Sequence, residues 1–328
     1  MARPAGVAVI LAREAGMPHI QTALGPIDAA DLGFTLSHEH AGMRLPLTRH
    51  YYPWLDRLEL QRDGSIRELR EAKAGGVDTI IELSTPDLGR DAALLAEISR
   101  ASGVHMVVAT GLWRDLPTAL DTLDPDEIAD IFVREIEQGI DETGIRAGVI
   151  KVANDAEGVT ARGQRVLRAA SRAAKRTNTP ISTHHWAPLE VGRRQWEIFD
   201  DEGVPPHLVC IGHSADSTDA DYLEDLLKAG VYVSMDRYPG VPPQPEWRDR
   251  NRTVEALLDR GWAHQLMLGH DYARDYRKPP TPVQEQHYLF LTKTALPAMR
   301  ADGVPQATID VMMRDVPRRF LSVEPPAG

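Results

Sequence analysis

The chain has one cysteine in 328 residues, Cys210, and it lies inside an apolar run. That excludes an intramolecular disulfide framework and suits a reducing compartment, so a cytoplasmic location is expected. Positive charge is also in deficit, with 37 Lys and Arg against 48 Asp and Glu and a formal net charge of −11. Such a balance repels nucleic acid and anionic lipid surfaces, and neither is expected as a partner. No segment approaches the roughly 18 uninterrupted apolar residues of a membrane span. Residues 1–18 include Val7-Ala-Val-Ile-Leu-Ala12, a run that is too short and is followed by Arg13 and Glu14. They are expected to form an extension. The sequence contains no repeat of solenoid period and no low-complexity linker.

What the chain does have is a series of apolar, strand-like runs separated by segments of helical period. The runs lie at about 33–40, Val77–Leu83 and Val104–Thr110, then at the stretches ending on Lys151, His184 and His213, then at Gly230–Met235 and Gln265–Leu268. Amphipathic stretches between them include Ser65–Ala74, Arg90–Ser102, Pro125–Gly139, Arg162–Thr177, Leu189–Glu202, Ala220–Ala229 and Thr253–Gly261. Eight βα units predict an α/β fold of the (β/α)8 barrel type. The expected organisation is a single barrel domain over 25–324, preceded by a short β extension over 1–24. A doubly wound open sheet is the competing fold, but no glycine-rich phosphate turn follows the first run. Two proline-rich pieces, Pro239–Pro245 and Lys278–Pro282, are expected to be loops overhanging the barrel mouth.

Polar residues end several of these runs: His38-Glu39-His40, Lys151, His184, His213 and His270-Asp271. Barrel enzymes place their active sites at this carboxyl end of the strands. Side chains alternate along a strand, so His38 and His40 share a face and can share a metal ion, whereas His185 should face away from His184. His105 has no such companions and is expected to be a packing residue. Of six lysines, Lys151 alone ends an apolar strand. Three readings of it stand: an amine stretching to solvent, a Schiff-base nucleophile, or a carbamate formed with carbon dioxide that bridges two metal ions. Asp271 can combine metal ligation with general-base action, or serve as an ordinary loop carboxylate.

The segments Phe34–His40, Ala109-Thr-Gly-Leu-Trp113, Gly148–Lys151, Ser182–His184, Cys210–Asp216 and Met235-Asp236-Arg237-Tyr238 together resemble the phosphotriesterase family of the amidohydrolase superfamily. The resemblance runs from about Gly25 to Leu321. It implies a binuclear-metal-dependent hydrolase with zinc, or with cobalt or manganese. His38, His40 and Asp271 would hold the buried ion, and His184 and His213 the exposed one. Carbamylated Lys151 and a hydroxide would bridge them. Asp271 would take the proton and Asp216 would relay it. Asp236-Arg237-Tyr238 resembles the lactonase branch and assigns Arg237 to the catalytic pocket. Trp113 resembles the triesterase branch, where an aromatic walls the leaving group. Tyr238 and Arg274 are expected to contact substrate, and Arg44, Arg274, Arg277 and Lys278 could attract an anionic group.

The expected activity is therefore hydrolysis of a small-molecule ester, a lactone first, with promiscuous triester hydrolysis. A dedicated aryldialkylphosphatase is the alternative, and a catalytically inactive metal-binding protein a third reading. The resemblance also implies a homodimer, for which Tyr51, Tyr52 and Trp54 are candidate rim or partner-surface residues.

Overall fold

The protein is described here from a computed structural model covering residues 19–327 apart from positions 45, 115 and 283. The expected extension 1–18 lies outside the described residues. Eight parallel strands form one sheet in sequential order: β3 Thr35–Glu39, β4 Thr79–Glu82, β5 His105–Gly111, β6 Val149–Ala153, β7 Ile181–His184, β8 Val209–Ile211, β9 Tyr232–Met235 and β10 Leu266–Leu268. They coincide with the eight apolar runs. Before them, β1 His19–Thr22 and β2 Gly25–Asp28 make an antiparallel hairpin that hangs on β5 through Ala23 N–H donating to Met106 O, 2.8 Å.

The barrel closes between β3 and β10, beyond the last residue of β10. Asp271 N–H donates to His38 O at 2.8 Å, His40 N–H donates to Tyr272 O at 2.9 Å, and Glu39 pairs with Tyr272 in a parallel bridge. The buried Glu39 carboxylate reinforces this seam by accepting the His270 and Tyr272 backbone N–H groups at 2.9 and 3.0 Å. The barrel interior is filled by inward residues such as Ile81, Val107, Val149, Cys210 and Met267, capped from below by Phe320. Their outward neighbours, including Ile80, Val108, Ile150 and Ile211, pack under the helices. Each fully buried aliphatic contributes about 1.5–3 kcal/mol, so these two layers are the main source of stability.

The helices carry their own stop and start signals. Asp124 and Glu127 form a capping box on Pro125–Glu137, Thr160 caps Ala161–Thr177, and Gly103 ends Ala92–Ser102 in the left-handed conformation. Two helices begin earlier than the apolar periodicity predicts, at Leu58 and at Trp247. In the first, Leu58 and Leu60 face solvent, so the early turns carry no core stripe. In the second, the inward face is polar: Arg250 and Asn251 are buried. Among the described residues no helix is long and apolar enough to cross a membrane.

Candidate metal centre

Lys151 lies in β6, His184 ends β7, and His213 follows β8 by two residues, all fully or nearly buried. His38 lies in β3 with His40 just beyond it. At the ends of β8, β9 and β10 the chain turns sharply, and His213, Arg237 and Asp271 all adopt left-handed φ of 64°, 65° and 54°. For residues with a Cβ this conformation costs about 1–2 kcal/mol each. Three in a row around one rim mark a place where function overrides local preference. The turns aim the three side chains at the barrel axis.

There the sequence-predicted ligands converge. His40 Nε2 is 3.0 Å from Asp271 Oδ1, and His38 Nε2 is 3.4 Å from the same oxygen and 3.2 Å from Lys151 Nζ. The His213 ring stacks on His38 at 4.6 Å between centroids and meets His184 edge-on at 4.4 Å. His213 Nε2 lies 3.8 Å from Asp271 Oδ2. His185 turns the other way, to Gly212 O and Tyr222 Oη. His105 sits at the opposite end of the barrel, where β5 begins.

Asp236, expected only as part of a branch signature, organises this cluster. Fully buried, it accepts from His38 Nδ1 at 3.0 Å and from His213 Nδ1 at 2.7 Å, and also from the His213 backbone N–H at 3.1 Å. Burial opposes its ionisation, but attraction to His213 and His38 holds the carboxyl well below its ordinary range. An ionised carboxylate only accepts, so both rings carry their proton on Nδ1 and offer Nε2 lone pairs toward the axis. Ser84, bonded to the buried Glu82, meets His40 Nδ1 at 2.9 Å and orients that ring.

The donor set fits divalent cations. Ligand atoms of His38, His40 and Asp271 lie within 4.8 Å of one another. His38, His213 and Asp236 are as close, but there the atoms already hydrogen-bond each other. His184 Nε2 is buried with no hydrogen-bond partner, its nearest carboxylate oxygen, on Asp155, standing 4.0 Å off. A buried imidazole nitrogen without a hydrogen-bond partner is what a metal would satisfy. Burial pushes the Lys151 ammonium down from 10.5 to about 8, only partly offset by Asp271 and Asp236. It lowers His38 to about 4, keeping that ring neutral. Asp236→Ala should weaken metal affinity about 10–100-fold, because two ligands lose their orienting acceptor at once. Titration with zinc against a competing chelator measures it, and an unchanged affinity would remove Asp236 from this role.

The remaining site residues divide. Asp271 is one-fifth exposed and its Oδ2 accepts from Arg237 Nε at 3.1 Å. Arg237 Nη1 then reaches Asp216 Oδ2 at 2.7 Å, and Asp216 Oδ1 accepts from fully buried Arg250 at 2.8 Å. Asp216 is thus joined to Asp271 through a guanidinium that keeps its protons, not directly. The Trp113 ring stands edge-on to His184 at 6.0 Å. Tyr238 lines the mouth with its ring while its hydroxyl donates to Asn251 Oδ1 behind it. Arg274 is not brought to this centre. Glu68, 3% exposed, takes its guanidinium together with the Tyr272 and Tyr276 hydroxyls, and Arg274 lines a separate cavity with Arg44 and Arg277. Arg44 is bound to Asp56 and Asp91, and Arg277 to Asp275. These three guanidiniums, of the four basic residues expected to attract an anionic group, are thus each held by a carboxylate.

Above Asp271 and Arg237 opens a cavity of about 610 Å³, roofed by Pro239–Gln244 and by Thr281 and Gln284, as the two proline-rich loops predicted. The model of the phosphotriesterase family matches residues 18–321. The chain belongs to that family. A phosphotriesterase homology protein of Mycobacterium tuberculosis is 41% identical over 320 residues, spanning 93% of this chain and 98% of that one. An aryldialkylphosphatase of Saccharolobus solfataricus is 32% identical over 306 residues, spanning 90% and 97%. The solved structure of the phosphotriesterase from Mycobacterium tuberculosis superposes with a TM-score of 0.87 at 40% identity, covering 94% of this chain and 100% of that one. In this phosphotriesterase-family hydrolase the clustered His and Asp residues lie at the carboxyl mouth of the barrel, the end where barrel enzymes place their active sites.

Proposed function

We propose that this chain is a binuclear-metal-dependent hydrolase whose main substrate is a lactone and whose secondary activity is phosphotriester hydrolysis. In this reading His38, His40 and Asp271 hold the buried ion, His184 and His213 hold the exposed one, and carbamylated Lys151 lies between them. The observation that carries it is the buried Lys151 amine, 3.2 Å from His38 Nε2 and lowered to about 8. An amine so depressed has an accessible neutral form; its lone pair bonds to carbon dioxide, a proton leaves, and an anion replaces an unpaired buried ammonium. When bound, two divalent ions, zinc foremost and cobalt or manganese as substitutes, lower the pKa of water and polarise the bond under attack.

The chain's own residues supply the rest. Asp271, open to the cavity on one side, is positioned to take a proton at Oδ2. Arg237 beside it holds a positive charge near the oxygen on which negative charge grows, and Asp216 and Arg250 fix that guanidinium in place. A lactone carbonyl becomes tetrahedral on attack and so approaches the shape of a triester phosphorus, which lets one site serve both. A second reading, a dedicated aryldialkylphosphatase, is favoured by Trp113 against His184 and by the Saccharolobus solfataricus relative's name.

The deciding experiment is kcat/KM of metal-loaded enzyme on a lactone panel, phosphorylated lactones included, beside an aryl dialkyl phosphate. A lactone preference of about two orders of magnitude, roughly 3 kcal/mol in the transition state, is expected. The reverse preference makes the triester the specialised substrate.

We also propose a cytoplasmic homodimer. Tyr51, Trp54 and Leu60 stand 71%, 68% and 49% exposed in one stretch of chain, apolar area that a second copy would cover. Sedimentation of Trp54→Glu should show monomer where the unaltered protein shows dimer; a monomer in both cases rejects the proposal.

A further inference from the structure

Arg250 is fully buried in the helix Trp247–Asp259. Three acceptors from separate parts of the barrel mouth converge on its guanidinium. Nε donates to Pro245 O at 2.9 Å, Nη1 to Asp236 O at 3.0 Å and Nη2 to Asp216 Oδ1 at 2.8 Å. Pro245 ends the proline-rich loop that roofs the cavity, and Asp216 holds Arg237, whose Nε bonds Asp271. The roof folds tightly around this group. Gly240 has a left-handed φ of 84°, and a Cβ there would stand 2.1 Å from Pro245 O and 2.9 and 3.1 Å from Arg250 Nε and Nη2. Its N–H also donates to Arg237 O at 2.7 Å. Taking a cation out of water is costly, and a well-packed apolar side chain would fill the same space without that cost. Only the planar fork of an arginine holds three acceptors at fixed angles.

We propose that Arg250 is a positioning residue that couples the roof of the cavity to the charges at its floor: where Pro245 and Gly240 stand sets where Asp216, and through it Arg237, stands. The inference rests on the hydrolase reading above, in which Arg237 holds positive charge near the oxygen on which negative charge grows. A displaced roof then lowers turnover of a substrate too small to touch it, acting through Arg250, Asp216 and Arg237 in turn. A coupling free energy is reciprocal, so loosening Asp216 must also loosen the roof.

The test is a double-mutant cycle on the full-length, metal-loaded protein, with γ-butyrolactone and an aryl dimethyl phosphate as small substrates. Gly240→Ala drives a methyl group against Pro245 O and the Arg250 guanidinium. With Arg250 present it should lower kcat about tenfold and leave KM within about twofold; in Arg250→Met its effect on kcat should fall below about twofold. Additive losses overturn the proposal. If Arg250→Met does not fold, Arg250→Lys closes the cycle with the same expectation, since one ammonium cannot span the three acceptors. Amide hydrogen exchange supplies a readout that needs no turnover. Asp216→Asn should speed exchange at Gly240 and Gln244, whose N–H groups donate to Arg237 O and Val241 O, by about fivefold or more, and leave the β4 and β5 amides unchanged. Unchanged exchange at both roof amides likewise overturns the proposal. A protein that hydrolyses neither substrate yet shows the exchange response refutes the reading of its substrates and upholds the coupling.

Discussion

Asp271→Asn will lower kcat/KM by about 10²–10⁴-fold while leaving the protein folded. Asparagine keeps the shape and one acceptor oxygen, so the contact with His40 survives. It cannot take a proton, and it withdraws a negative charge from beside Arg237 and His38. The carboxyl is held well below its ordinary range: burial resists ionisation, but the attraction of His38 and His213 prevails. The group is therefore already an empty base at neutral pH. Metal content must be measured alongside the kinetics, since Asp271 is also a proposed ligand. Activity within tenfold of the parent at equal metal content would dismiss the base.

Lys151→Ala will abolish most metal occupancy and activity, and short carboxylic acids will restore part of both by lodging where the carbamate would be. Full activity without rescue would discard the bridging role. The same residue should have an opposite signature in the metal-free protein. An ammonium lowered from 10.5 to about 8 is penalised at pH 7 by about 3 kcal/mol. Lys151→Met, similar in volume and uncharged, should then raise metal-free stability by up to about that amount. Between pH 8 and 10.5 the unfolded chain still binds the proton that the folded one has released, so the parent's stability climbs with pH there. The advantage of Lys151→Met must shrink across that window. Urea unfolding of both proteins at pH 7 and pH 10 measures it, and a pH-independent difference would contradict the burial of a charged amine.

The barrel was legible because its strands are buried on both faces and so read as apolar runs, several of them ended by a polar residue that later faces the axis. Alternation put His38 and His40 on one face, and the structure brings both to Asp271. The supporting charges did not. Arg250 lies in Trp247-Arg-Asp-Arg-Asn-Arg252, where three arginines look equivalent until the fold buries one of them against Asp216. Asp236 carried the same signal as Lys151, a polar residue closing an apolar strand, yet its role depends on His38, 198 positions away. Arg274 was expected to contact substrate as one of a basic group able to attract an anion, but Glu68, 206 positions earlier, holds its guanidinium. Such pairings are set by tertiary contact and leave no local trace. The early starts at Leu58 and Trp247 were hidden for a related reason, since helical turns with solvent-facing leucines or inward polar groups show no apolar period.

The seam between β3 and β10 runs through the proposed buried metal site, with Asp271 N–H on His38 O and His38 Nε2 3.4 Å from Asp271 Oδ1. In a growing polypeptide these two residues leave the ribosome more than two hundred residues apart. Contacts of such separation are the slow, late ones in folding. A nascent chain ending before β10 has the two histidines of this site but neither the carboxylate nor the closing hydrogen bonds. If that site is filled as proposed, tight cation uptake would follow the final docking step, once β10 has been synthesised and has closed the barrel.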